Sequence, residues 1–165
     1  MGRHVLGVEV WGLVGRLLSA GYNVRIVDLQ PSIRYPSLVR LADVRDRGAL
    51  TEALRGYDAW YNLAAQHRDN VRPKSLYHEV NVEGARNVCD AAEDLCAKVI
   101  VFTSSVAVYG LGRAEAGEQD VCAPFNEYGR SKLEAEKVYR GWLARGAGRS
   151  LTIVRPTVVF GEGNR

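Results

Sequence analysis

The chain has 165 residues, 47% hydrophobic and 25% charged, which is one domain's worth of an ordinary soluble globular protein with a real core. Its net charge of +3 is spread along the sequence and forms no basic stripe of the kind a nucleic-acid binder carries. A long uncharged apolar run and a signal-peptide pattern are both missing, so the composition gives no reason to expect a membrane span or export, and a reducing cytoplasm is the default compartment.

Short β-branched runs alternate with longer helical ones, the pattern of βα units around a parallel sheet. Asn23 to Leu29 is a strand, with Gly21 closing the helix before it. Leu38 to Ala42 is a weaker strand. Asp46 to Arg55 is a short helix, N-capped by Asp46 and stopped by Gly56. Asp58 to Ala65 is the next strand. Pro73 suits the first turn of a helix that continues to about Cys96. Val99 to Thr103 is a strand whose near-continuous apolar character predicts burial on both faces. Glu127 to about Arg145 is a helix, and Ser150 to Arg155 a final strand before Pro156.

The start, MGRHVLGVEVWGLVGRLLSAG, supports two registers. With Val5 to Val10 as a strand, Gly12 and Gly15 form the turn and the following helix is short. With a helix from about Trp11 to Ala20, the turn falls at His4 to Val10, Gly7 is its one matching glycine, and little remains for a first strand. In both, bulky Val10 or Trp11 sits where a dinucleotide's pyrophosphate needs close backbone approach. The expected fold is therefore a Rossmann-like, doubly wound parallel sheet, incomplete at its first strand.

Several strand ends carry groups suited to a cofactor or to proton transfer. Asp28, ending the second strand, can accept both hydroxyls of an adenosine ribose and repels a 2′-phosphate, favouring NAD over NADP; Arg34 nearby blurs that preference. Asp43 and Val44 follow the third strand, where a side chain can bond an adenine amine. Leu63, Ala64 and Ala65 end the fourth strand with small residues that permit close approach of a flat cofactor. His67, Arg68 and Asp69 lie in the loop that follows, which reads as plain surface or as a pocket wall.

Ser105 follows the apolar strand, where α/β sheets bind ligands. Tyr128 and Lys132 stand four residues apart, hence on one helix face, and an ammonium near a phenol lowers the phenol's pKa. Together they can remove a proton from an alcohol. Cys89, Cys96 and Cys122 have no metal or disulfide spacing, and Cys89 and Cys96 read as small buried side chains. The three histidines are scattered, so no metal is expected.

TSSVAVYG, Pro124 four residues before YGRSK, Asp28, Asp43-Val44, NLAA and Asn81-Val82-Glu83-Gly84 together resemble the extended short-chain dehydrogenase/reductase family, in its NAD-dependent nucleotide-sugar epimerase/dehydratase branch. The resemblance runs from about Gly21 to the end. RPTVVFG, Arg155 to Gly161, is similar to the segment lining the nicotinamide side. It implies catalytic positions at Ser105, Tyr128 and Lys132. It implies cofactor positions at Gly7, Asp28, Asp43, Val44, Leu63, Ala64, Ala65, Asn81, Ser104, Pro156 and Thr157, with Tyr128 and Lys132 shared. The implied cofactor is NAD and the implied substrate a nucleotide sugar. A homodimer paired through the Glu127 to Arg145 helix is compatible with the same resemblance.

Two departures accompany it. The glycine-rich turn is degenerate, and the family's C-terminal substrate domain has no counterpart, so residues 1–165 read as a partial NAD-binding domain. The sugar 4,6-dehydratases place an acidic pair after the catalytic hydroxyl residue; Val106 and Ala107 stand there, which favours epimerase-like or simple oxidoreductase chemistry. Three functions remain open. They are an NAD-dependent epimerase, a remnant with weak or no cofactor binding and little turnover by itself, and a redox-sensing binder, against which the intact Tyr128–Lys132 pair argues.

Overall fold

The computed structural model describes residues 2–6, 11–68, 70–112 and 115–157. Six strands form one sheet: β1 (Gly2–Leu6), β2 (Asn23–Asp28), β3 (Val39–Leu41), β4 (Ala59–Asn62), β5 (Val99–Thr103) and β6 (Ser150–Val154). All pair in parallel, in the order β3-β2-β1-β4-β5-β6. This is the strand order of a doubly wound dinucleotide-binding sheet, reversing direction between β1 and β4.

The helices are α1 (Trp11–Ser19), α2 (Arg47–Leu54), the single turn α3 (Ser75–Tyr77), α4 (Gly84–Asp94) and α5 (Glu127–Ala144). The second of the two N-terminal registers is the one observed, with α1 starting at Trp11. It corrects the expectation of too little chain for a first strand, because β1 begins at Gly2 and lies between β2 and β4. The turn between β1 and α1 falls on residues 7–10, outside the described residues.

α2 follows its sequence signals. Asp46 caps it by accepting from the Ala49 N–H at 3.0 Å, and Gly56 turns the chain at φ +88°. The helix expected from Pro73 to Cys96 is instead α3, a π-helical stretch His78–Glu83, and α4. The wider π turn brings Asn81 and Val82 inward together, at 3% and 1% exposure. α4 then ends at Asp94, and Cys96 takes φ +55° and is exposed. The expectation of a buried Cys96 fails for that reason, while Cys89 is buried in the core.

One side of the sheet packs on α2, α4 and α5, where Trp60, Ile100 and Phe102 meet Leu50, Leu54, Val88, Tyr139 and Trp142. On the other side Val14 and Leu17 of α1 cover Val24 and Ile26. β5 is therefore not buried on both faces. Ile100 and Phe102 are buried, but Val99 is exposed and Val101 and Thr103 are half-buried. Among the described residues α1 lies over β2, and no helix covers that side of β5 and β6. No helix among the described residues is long and apolar enough to cross a membrane.

Candidate active site

The C-terminal end of β5 positions the first group. Ser105 follows the strand in extended backbone and caps a 3-10 turn, Val106–Tyr109, its Oγ accepting from the Ala107 N–H at 3.2 Å. Facing it is the first turn of α5. Asn126 caps this helix, accepting from the Gly129 N–H at 2.7 Å. Gly129 lets the helix approach the 3-10 turn: a Cβ there would stand 2.5 Å from the Ala107 carbonyl oxygen. The glycine after Tyr128 thus brings the phenol beside Ser105. Replacing Asn126 with Ala is expected to cost about 1 kcal/mol, read as a lower urea midpoint with unchanged slope.

Lys132 lies one turn deeper and is 1% exposed. Its Nζ donates to the Thr103 carbonyl at 2.8 Å, 4.8 Å from the Phe102 ring centroid and 5.9 Å from that of Tyr128. Burial brings the ammonium down to about 7, against a smaller upward pull from Glu136. Tyr128 is half-buried, and burial raises its pKa, with a hydrogen bond to Ser105 acting the other way. The expected lowering of the phenol by Lys132 is therefore not found. The amine is itself desolvated toward neutrality and is engaged by the Thr103 carbonyl.

The cofactor candidates occupy the same edge of the sheet. Asp28, Asp43, Val44, Ala64 and Ala65 line one cleft of about 110 Å³ at the ends of β2, β3 and β4. Asp28 accepts from the Gln30 N–H at 3.0 Å. Asp43 is already paired: the Arg45 guanidinium, at 2.5–3.0 Å from its oxygens, holds its carboxyl below the usual range. Val44 belongs to the core, and Leu63 packs with the α1 cluster. The mix of an acidic strand end, small residues and an apolar floor is chemically suited to an adenosine ribose and base.

Other candidates turn away from this cleft. Asn81 accepts from the Gln66 N–H at 2.8 Å and donates to the Gln66 carbonyl at 3.1 Å and to Ser131 Oγ at 2.8 Å, so it clamps the loop after β4 to α5. Ser104 is buried and donates to Glu136 at 2.6 Å. Pro156 accepts from the Val106 N–H at 3.1 Å, and Thr157 is exposed near Val106. His67 and Arg68 are exposed. Gly7, Asp69 and the end of the RPTVVFG segment from residue 158 lie outside the described residues. Sequence reasoning passed over Glu136 and Tyr109. The one available signal was a glutamate four residues after Lys132, on the same helix face.

Residues 12–165 match the family described as NAD dependent epimerase/dehydratase. The chain belongs to that family. Over 170 aligned residues this epimerase/dehydratase-family chain is 50% identical to the N-acetyl-alpha-D-glucosaminyl-diphospho-ditrans,octacis-undecaprenol 4-epimerase of Escherichia coli O157:H7, covering all of this chain and 51% of that protein. It is 39% identical over 96 residues to UDP-glucose 4-epimerase of Vibrio cholerae, covering 56% of this chain and 29% of the relative. Among solved structures, MoeE5 in complex with UDP-glucuronic acid and NAD superposes with a TM-score of 0.87 at 28% identity, over the whole chain and 57% of MoeE5. The chain spans about half the length, or less, of these relatives.

Proposed function

We propose that this chain is the cofactor-binding and proton-transfer half of an NAD-dependent epimerase acting on a sugar linked through a diphosphate. One observation carries the reading: Ser105, Tyr128 and Lys132 converge where β5 meets α5, at the same sheet edge as the Asp28 cleft. The relatives at 50% and 39% identity are 4-epimerases of a polyprenyl-diphospho sugar and of UDP-glucose, which share a diphosphate-linked hexose. Nucleotide sugar or lipid-linked sugar is thus a choice between two handles on one reacting group.

In this reading Tyr128 takes the proton of a sugar hydroxyl, and Ser105 shares a hydrogen bond with that hydroxyl. NAD supplies hydride acceptance and return when bound. Lys132 would hold the nicotinamide ribose, and Asp28 would hold the adenosine ribose. Ribose hydroxyls accepting from Lys132 would favour its ammonium, which would then stabilise the phenolate. Val106 and Ala107 offer no acid or base for elimination, consistent with epimerisation. A cytoplasmic location and a homodimer through α5 belong to the same proposal.

Titrating NADH into the purified chain and following nicotinamide fluorescence tests this. Saturable binding below millimolar NADH is the expected result. No binding at millimolar cofactor would overturn the reading for this chain and favour a remnant that retains the site residues without cofactor affinity.

A further inference from the structure

Glu136 sits on α5 one turn beyond Lys132 and is 2% exposed. Its Oε1 accepts from Ser104 Oγ at 2.6 Å and from Arg155 Nε at 2.8 Å, and its Oε2 accepts from Arg155 Nη2 at 2.6 Å. Arg155 also donates to the Tyr109 hydroxyl at 2.6 Å and the Glu118 carbonyl at 3.2 Å, with its guanidinium 4.9 Å from the Tyr109 ring centroid. One carboxylate therefore ties together α5, the end of β5, the 3-10 turn and the chain leaving β6. Ser105 stands in the middle of what is tied. Its neighbours Ser104 and Val106 donate their N–H groups to the carbonyls of Val154 and Pro156, at 2.7 and 3.1 Å.

A buried ion pair is a poor device for stability alone, because apolar residues of similar volume serve as well or better. Its charge needs another reason, and Lys132 provides one. The buried ammonium faces Tyr128 and Glu136 from its own helix, the Thr103 carbonyl and Phe102 ring from β5, and Arg155 from beyond Glu136. Glu136 is the anion in this set.

We propose that Glu136 is a positioning residue of the catalytic centre. It holds Ser105 opposite Tyr128 through Ser104 and Arg155, and, as the buried carboxylate one turn along the same helix face, it partly opposes the desolvation of the Lys132 ammonium. The inference rests on the reading of Ser105, Tyr128 and Lys132 as the proton-transfer set. Its test, however, reads the cofactor-free chain and is independent of NADH binding.

The chain contains four lysines, so 13C-lysine labelling gives a short spectrum in which Lys132 is identified by its loss in Lys132→Met. The Lys132 signal is titrated with pH in the wild type, Glu136→Gln and Glu136→Asp. The expected result is a midpoint lower by about one pH unit in Glu136→Gln, largely restored in Glu136→Asp, with the other three lysines unmoved. Glu136→Gln leaves Arg155 without its anion and can fail to fold. The double variant Glu136→Met, Arg155→Met removes both charges and is expected to lower the midpoint in the same direction by less, because the guanidinium's opposing charge is lost with the carboxylate. An unchanged Lys132 midpoint in any folded variant lacking the carboxylate would overturn the proposal. Failure of the wild type to bind NADH, with the Lys132 shift present, would instead remove the cofactor reading and leave the Glu136–Lys132 coupling standing.

Discussion

The unfolding free energy of the chain is expected to climb by about 2 kcal/mol as the pH is raised from about 7 to about 9, and Lys132→Met to erase that climb. Lys132 has a folded-state pKa of about 7 against an ordinary 10.5. Between those values the unfolded chain binds a proton that the folded chain lacks, so stability rises with pH. Below about 7 the full penalty of a buried charge is present. The climb ends near pH 9 because Cys89, pushed up to about 12 by burial, then begins to act in the opposite direction. The unfolded chain releases that thiol proton while the folded chain keeps it, and the raised phenols of Tyr128 and Tyr139 follow at still higher pH. Glu136, Asp43 and the other lowered carboxyls are ionised in both states across the window.

Methionine fills much of the lysine stem without its charge, and Glu136 keeps Arg155 as partner in the variant. Lys132→Met should therefore be more stable than the wild type at pH 6, by about 3 kcal/mol or more, and flat from pH 7 to 9. Urea melts at half-unit pH steps measure both slopes. A wild type flat from pH 7 to 9, or a destabilised Lys132→Met, would sink the account. A residue whose removal strengthens the fold is one retained for chemistry.

Gly110→Ala is expected to cost about 3 kcal/mol, and to do so through the backbone. Gly110 ends the 3-10 turn at φ +87°, ψ −162°, a region that is essentially glycine's own. A Cβ there would stand 2.2 Å from the Ala123 carbonyl oxygen, so no side-chain rotation relieves the clash. The loop must lift away from Ala123, taking Tyr109 and its bond to Arg155 with it. Gly21→Ala is the control. Gly21 also has positive φ, +78°, but a Cβ meets nothing within 4 Å, so about 1 kcal/mol is expected from conformation alone. Chemical denaturation of both variants decides it; equal costs would mean that the Ala123 contact is soft.

Local signals were enough to place most elements. The Asp46 cap, Gly56, the alternation in Asn23–Asp28 and the Tyr128–Lys132 spacing each act within a few residues, where sequence is informative. What escaped depends on partners far apart in the chain. Ser104 meets Glu136 across 32 residues, Arg155 meets Tyr109 across 46 and Asn81 meets Ser131 across 50. No periodicity records such pairs. The one-sided burial of β5 was hidden because an apolar run looks the same whether one face or both are covered. The phenol's upward shift was missed because spacing reports proximity and says nothing of desolvation.

The two main-chain bonds from Ser104 to Val154 and from Val106 to Pro156 extend the β5–β6 ladder past the point where both strands formally end. Ser105 lies between the donors, so it has the mechanical character of a strand residue although it sits in a turn. Its opening is then not the nanosecond fluctuation of a surface loop. It requires the sheet's last pairing to unzip, together with the Arg155–Glu136 link, and belongs to the slow, cooperative end of the chain's motions. Any displacement of the backbone beyond β6 reaches the serine as a rigid shift, without a flexible joint to absorb it.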